Sequence, residues 1–313
     1  MKLEIDARDE GKALLDFMKN TLGLSGAFIR HLKFSENGIT VNGEHKTVRY
    51  ILKAGDILSL KTEDDNTAAG ENLPVPVDLP LEIIYEDSDI VIPNKPPFMP
   101  THPSHGHYDD TLANALAYRY RSDTSPFVFR PVNRLDRNTS GAVIVARNRI
   151  AASHLSLAMK NGQIHKKYLA VLDGIPPERE GKIETYMRRT AQSIIVREVC
   201  EKCEGADYTL TEYSVIAAAN GKALVLASPK TGRTHQLRVH FASLGCPITG
   251  DTLYGSASPF IERHALHSFK TDFPHPSDNR IISVRAPLYT DILQLINRFF
   301  GNSIQISEQE TGK

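Results

Sequence analysis

Apolar residues in the first sixty positions recur at two different spacings. GKALLDFMKNTL and LSGAFIRHLKF place them three and four apart, the period of a helix with one buried face, whereas ITVNG and ILKAGDILSL are β-prone and carry Asn-Gly or Ala-Gly turns. These pieces predict a small α/β unit over residues 1–61. The run TEDDNTAAGENLPVPVDLP follows, and its polar start and repeated prolines suit a linker over 62–79, leaving 80–313 as a second, larger domain. There LEIIYED and DIVIP read as strands, DDTLANALAYRYRS as a helix with an Asp cap, AVIVAR as a strand and IAASHLSLAMKNG as a helix. KYLAVLDG, SIIVREV, DYTLTEYSVI and KALVLAS read as further strands and HQLRVHFASLG as a helix. Strands follow one another as often as they alternate with helices, which favours an α+β fold with a mixed, largely antiparallel sheet over a doubly wound one.

The apolar share of 41% is ordinary for a folded chain, and no apolar run approaches the length that crosses a bilayer. A signal-peptide layout is absent at the N-terminus, so the cytoplasm is the expected compartment. Three cysteines, Cys200, Cys203 and Cys246, fit a reducing environment better than a disulfide framework. Net charge is zero, yet it is unevenly spread. Between Arg119 and Lys167 stand ten Lys or Arg against two acids, Asp123 and Asp136, whereas Thr62 to Pro93 holds nine acids and no base. The basic stretch suits a polyanionic partner, or equally a solvated face balanced by acids elsewhere in the fold.

Within that stretch RPVNRLDRNTSGAVIVA sets a lone carboxylate, Asp136, between Arg134 and Arg137. Spacing removes several uses for it. DRNTSG begins like a calcium loop, but Arg147 occupies the position that needs a bidentate glutamate. Asn138 stands where phosphoaspartyl enzymes usually carry a second acid. HPSHGHYDD groups His102, His105, His107, Asp109 and Asp110 without the last histidine of a metallo-hydrolase motif, and CEKC is half a zinc site. Neither GxxxxGK[ST] nor GxGxxG occurs. A carboxylate acting as nucleophile or base remains, its ionised form favoured by the neighbouring guanidiniums. PKTGRTHQLRVH offers Arg233 on a glycine turn as a partner for Asp136, and Arg238 on the helix after it; an ordinary structural salt bridge is the commoner outcome for such a pair.

The region from about 80 to 295 resembles the RluA family of pseudouridine synthases. NRLDRNTSG is similar to that family's HRLDxxTSG signature, and YEDSDIVIPNKPPFMPTHPS, KKYLAVLDG, TGRTHQLRVHFASLGCPITGDTLYG and RHALHSF follow in the family's order. Asn133 and Cys246 stand where the family carries histidines. The N-terminal frame LGLSGAFIRHLKFSENGITVNG resembles the S-four RNA-binding domain, with Gly26 in place of a common arginine. The resemblance implies isomerisation of a uridine within RNA, ribosomal RNA of the large subunit first and transfer RNA second, by a monomer that needs no cofactor and no metal. It implies that Asp136 acts at the ribose, by addition or by removal of the 2′ proton. Tyr168 would stack on the uracil and help remove the carbon-5 proton, while Arg233 pairs with Asp136. Asn133, Arg134, Thr139 and Leu266 are expected around the flipped nucleotide, with Arg134 filling the gap it leaves in the stack. Arg137, Lys167 and Arg238 are expected on the RNA backbone. An RNA-binding or ribosome-assembly factor without catalysis is the alternative.

Overall fold

The computed structural model describes residues 1–61, 73–123 and 126–301. In the N-terminal unit the elements are β1 (Lys2–Glu4), α1 (Leu14–Asp16), which continues as a wider turn over Phe17–Thr21, α2 (Gly26–Phe34), β2 (Ile39–Val41), β3 (Glu44–His45) and β4 (Ile57–Leu60). The sheet runs β1-β4-β2-β3, all antiparallel. Ser25 caps α2 by accepting from the Phe28 N–H, and Phe28, Ile29 and Leu32 then project inward at helical spacing. They join Leu14, Met18, Val41 and Leu58 in a core that also takes in Ile150 from the larger region. Of the expected linker, 62–72 lie outside the described residues. Val75 and Val77 run across the next helix, bonded to Asn114.

The larger region contains β5 (Glu82–Glu86), β6 (Ile90–Lys95), α3 (Leu112–Arg119), β7 (Arg130–Pro131), β8 (Ser140–Ala142), β9 (Val145–Ala146), α4 (Arg149–Lys160), β10 (His165–Asp173), β11 (Glu180–Arg189), β12 (Arg197–Cys200), β13 (Asp207–Ala219), β14 (Lys222–Pro229), α5 (Gln236–Ser243), β15 (Leu266–Pro274), β16 (Ile281–Arg285) and α6 (Thr290–Phe300). Among the described residues these strands form a single sheet ordered β12-β11-β13-β14-β10-β15-β8-β6-β9-β7, with β16 on β15 and β5 on β6. Every pairing is antiparallel except β8 with β15. The fold is thus α+β with a mixed, largely antiparallel sheet.

That one parallel contact positions the site. It pairs Ser140 with His267 and Gly141 with Ser268, closing the two halves of the sheet directly behind the loop that carries Asp136. Gly141 has φ +112°, and a Cβ there would lie 2.3 Å from the Ser268 carbonyl oxygen, so only glycine permits the approach. Two local expectations need correction. Thr111, not an aspartate, caps α3, in a reciprocal box with Asn114, because Asp110 is drawn aside by His107 at 2.6 Å. Ile194 and Ile195 lie in the turn before β12 and are exposed, since that strand begins only at Arg197. No helix among the described residues is long and apolar enough to cross a membrane.

Candidate active site

A cleft of about 1360 Å³ opens over the β8–β15 junction and is lined by Asn133, Arg134, Asp136, Thr139, Lys167, Tyr168, Arg233, His235, Arg238 and Leu266 among others. It exceeds the usual volume of a small-molecule pocket, roughly 300 to 1,000 Å³, and suits a nucleotide together with its strand.

The Asp136 loop is pinned from several directions. Thr101 accepts the Leu135 N–H at 3.2 Å and donates to the Leu135 carbonyl at 2.9 Å. Asn133 Oδ1 accepts the Ile144 N–H at 2.8 Å, so the carboxamide supports the loop at the position where a histidine was expected. Lys95 is wholly buried and donates to the carbonyls of Pro96, Met99 and Arg137. Burial lowers its pKa to about 7, with the Arg263 charge adding to the effect and Asp136 opposing it. Arg263, equally buried, donates to the Asn138 carbonyl at 2.9 Å and pairs with Asp291 at 2.7 Å. Thr139 Oγ1 meets His264 Nε2 at 2.8 Å. Burial holds His264 far down, at about 3, so it serves as a neutral hydrogen-bonding group.

The expected pair between Arg233 and Asp136 is not formed. Arg233 Nη2 lies 3.4 Å from Asp207 and the side chain is half exposed. Asp136 Oδ2 instead faces Arg238 Nη1 at 3.4 Å and His235 Nε2 at 3.8 Å. The cause is the start of α5. Gln236 Oε1 accepts from Thr231 Oγ1 at 2.7 Å and from the Arg233 N–H at 3.1 Å, closing a turn that leaves Arg233 outside while Arg238, in the first turn of α5, points into the junction. Arg238, expected on the RNA backbone, is therefore buried. Asp251 binds its Nε at 2.6 Å and its Nη2 at 2.8 Å, leaving Nη1 to Asp136. Burial works against the Arg238 charge, but Asp251 outweighs it and holds the guanidinium pKa above its ordinary value.

Tyr168 and Leu266 are buried on adjacent strands and both line the cleft. Burial pushes the Tyr168 phenol up to about 12, the Ser268 hydrogen bond opposing and Asp136 adding, so the hydroxyl stays protonated at neutral pH. Arg134 is exposed on the rim. Arg137 turns to the Phe98 carbonyl at 3.2 Å. Lys167 lines the cleft beside Lys270, and burial lowers its pKa.

The basic stretch splits in two. Arg119 and Arg147 are taken up by Glu86, at 2.5 and 3.7 Å, whereas Arg134, Lys160, Lys166 and Lys167 line the cleft. Sequence reasoning missed Lys95, Thr101, His235, Asp251, Tyr254, Arg263 and His264 as parts of the site. Lys95 carried no signal of its burial, since it follows Pro93 and Asn94 and precedes two prolines, a turn-like setting in which a lysine is ordinarily exposed.

A buried guanidinium directed at a carboxylate at the base of a basic cleft suits an RNA-modifying isomerase, and similarity to a relative 38% identical over 88% of this chain shows that the chain belongs to the RNA pseudouridine synthases. The family model described as RNA pseudouridylate synthase matches residues 89–243. The uncharacterized RNA pseudouridine synthase YjbO of Bacillus subtilis is 38% identical over 275 residues, covering 88% of this chain and 95% of that protein. Ribosomal large subunit pseudouridine synthase D of Zymomonas mobilis is 33% identical over 230 residues, covering 69% and 72%. Among solved structures, human RNA pseudouridylate synthase domain containing 1 superposes with a TM-score of 0.56 at 28% identity, covering 70% of this chain and 94% of that one.

Proposed function

We propose that this enzyme isomerises uridines of large-subunit ribosomal RNA, with Asp136 as the carboxylate that acts at the ribose. The observation that carries the residue assignment is the Asp136–Arg238–Asp251 series at the base of the cleft. Arg238 and His235 both face Oδ2 of Asp136, which leaves Oδ1 to meet the sugar. Addition to the anomeric carbon and removal of the 2′ proton both start from that oxygen. The uridine must leave its stack, at a cost of a few kcal/mol, and Arg134 on the rim has the planar cation to fill the space behind it. Tyr168 and Leu266 would sandwich the uracil while the N-glycosidic bond breaks, the base turns and the carbon-5 to C1′ bond forms. The carbon-5 proton is lost last. Tyr168, protonated, would orient the base, and the carbon-5 proton would pass to water in the open cleft rather than to a waiting phenolate.

The choice of RNA rests on the relatives named as acting on the large ribosomal subunit. The N-terminal unit would serve as an S-four-like RNA-binding domain. In its favour, a groove of about 400 Å³ there is lined by Lys19, Arg30, Lys33 and the exposed Phe34, cations and an aromatic ring in the combination that grips single strands. Gly26 opens onto the same groove.

The test is a comparison of pseudouridine maps of ribosomal and transfer RNA between cells with and without the gene. Loss of one or a few large-subunit positions is expected. Unchanged large-subunit maps, with losses confined to transfer RNA, would overturn the choice of RNA.

A further inference from the structure

Tyr254 lies behind His235 and links it to the β11–β12 turn. The Arg197 backbone N–H donates to Tyr254 Oη at 2.9 Å, and His235 Nδ1 lies 2.8 Å from the same oxygen. On the far side of the imidazole, Nε2 faces Asp136 Oδ2 at 3.8 Å. A backbone N–H can only donate, so Oη accepts from Arg197 and has its own proton to give. Burial, the largest influence, lowers the His235 pKa, and a neutral ring carries one proton. On Nδ1 that proton would leave a lone pair turned toward a carboxylate oxygen and would set two donors on Tyr254. On Nε2 it faces the carboxylate, and Nδ1 accepts from Tyr254.

We propose that Tyr254 is a positioning residue that fixes the tautomer of His235, so that His235 presents Nε2–H to Asp136 as a second donor beside Arg238. The backbone agrees with this role. His235 sits at φ +60°, a left-handed conformation that a non-glycine residue keeps only where its surroundings hold it. The Tyr254 ring also covers the Arg238 guanidinium, 5.0 Å from its centroid, so one side chain steadies both donors. At 3.8 Å the Nε2–H would act on Oδ2 as an oriented dipole beside the Arg238 contact at 3.4 Å, favouring the rotamer that leaves the other oxygen to the sugar. The inference rests on Asp136 being the reacting carboxylate.

Tyr254→Phe keeps the ring over Arg238 and removes only the hydroxyl. Its kcat on an RNA substrate should fall about tenfold, the rate equivalent of one hydrogen bond, with KM near that of the parent enzyme, while the unfolding midpoint drops because the Arg197 N–H and His235 Nδ1 lose their partner. In long-range proton–nitrogen spectra of the parent enzyme, the His235 ring, assigned by its loss in His235→Gln, should be the Nε2–H tautomer and should become mixed in Tyr254→Phe. An Nδ1–H tautomer in the parent enzyme would overturn the proposal, as would an unchanged kcat in Tyr254→Phe or a rise in KM alone. Asp136→Asn separates the two levels. If it is inactive and Tyr254→Phe is normal, only the tautomer proposal fails; if it is fully active, the carboxylate assignment fails and takes this inference with it.

Discussion

Two arginines five residues apart, Arg233 and Arg238, meet opposite fates, and the difference can be measured. Arg238→Ala would leave Asp251 buried without its partner, which costs about 3 to 5 kcal/mol, and would abolish turnover. Arg233→Ala should change stability by no more than about 0.5 kcal/mol, as for exposed side chains generally, and should raise KM with little change in kcat. Chemical denaturation and steady-state kinetics on the two variants check both halves. Tyr168 gives a pH prediction. A phenol raised to about 12 stays protonated throughout the neutral range, so the rate profile should show no inflection from this group between roughly pH 6 and 9. A Tyr168-dependent step in that window, absent in Tyr168→Phe, would contradict it. The loop around Asp136 was legible because its polar residues lie together in the chain. Which arginine turns inward was not, because it depends on where α5 begins, and that is set by the Gln236 contacts with Thr231 and Arg233.

At the level of elements, the parallel contact of β8 with β15 joins segments more than a hundred residues apart and is only two residue pairs long. Gly141 makes it possible. Gly141→Ala should destabilise the enzyme by about 3 kcal/mol or more, since the added methyl meets backbone rather than a movable side chain and φ is positive as well. Thermal unfolding measures this; a variant as stable as the parent would show that the strands can part without cost. The hydrophobic pattern revealed β13 by its alternation, and β10 and β14 by their unbroken apolar runs. It could not reveal the partner of β8, a three-residue strand whose burial on both faces leaves no alternation to read. α6 also escaped the sequence reading, although Ile292, Leu295 and Ile296 give it a clear apolar stripe that packs on the main core.

Across the whole molecule, buried neutral histidines tie stability to pH. Burial holds His240 and His267 at about 4 and His264 at about 3, against 6.5 for an exposed ring. Unfolded rings bind protons that the folded ones refuse, so their contribution is complete above roughly pH 6.5 and is lost as pH falls toward 4, by about 1.4 kcal/mol per pH unit for each ring. Denaturant titrations between pH 7 and 5 should show that slope, and His240→Asn should lessen it. The charge pattern was readable only as an imbalance. Folding assigns Arg119 and Arg147 to the acidic stretch and leaves Arg134, Lys166 and Lys167 around the cleft, a division that depends on neighbours distant in sequence.

The most direct test of the account is proton release from carbon 5. RNA carrying tritium at carbon 5 of its uridines is mixed with excess enzyme, and label entering water is followed for the parent protein and for folded Asp136→Asn. The account predicts stoichiometric release from the parent and a rate lower by on the order of a thousandfold or more in the variant, as befits loss of a group acting at the reacting atoms. Release at the parental rate from Asp136→Asn would contradict the claim that this carboxylate performs the reaction.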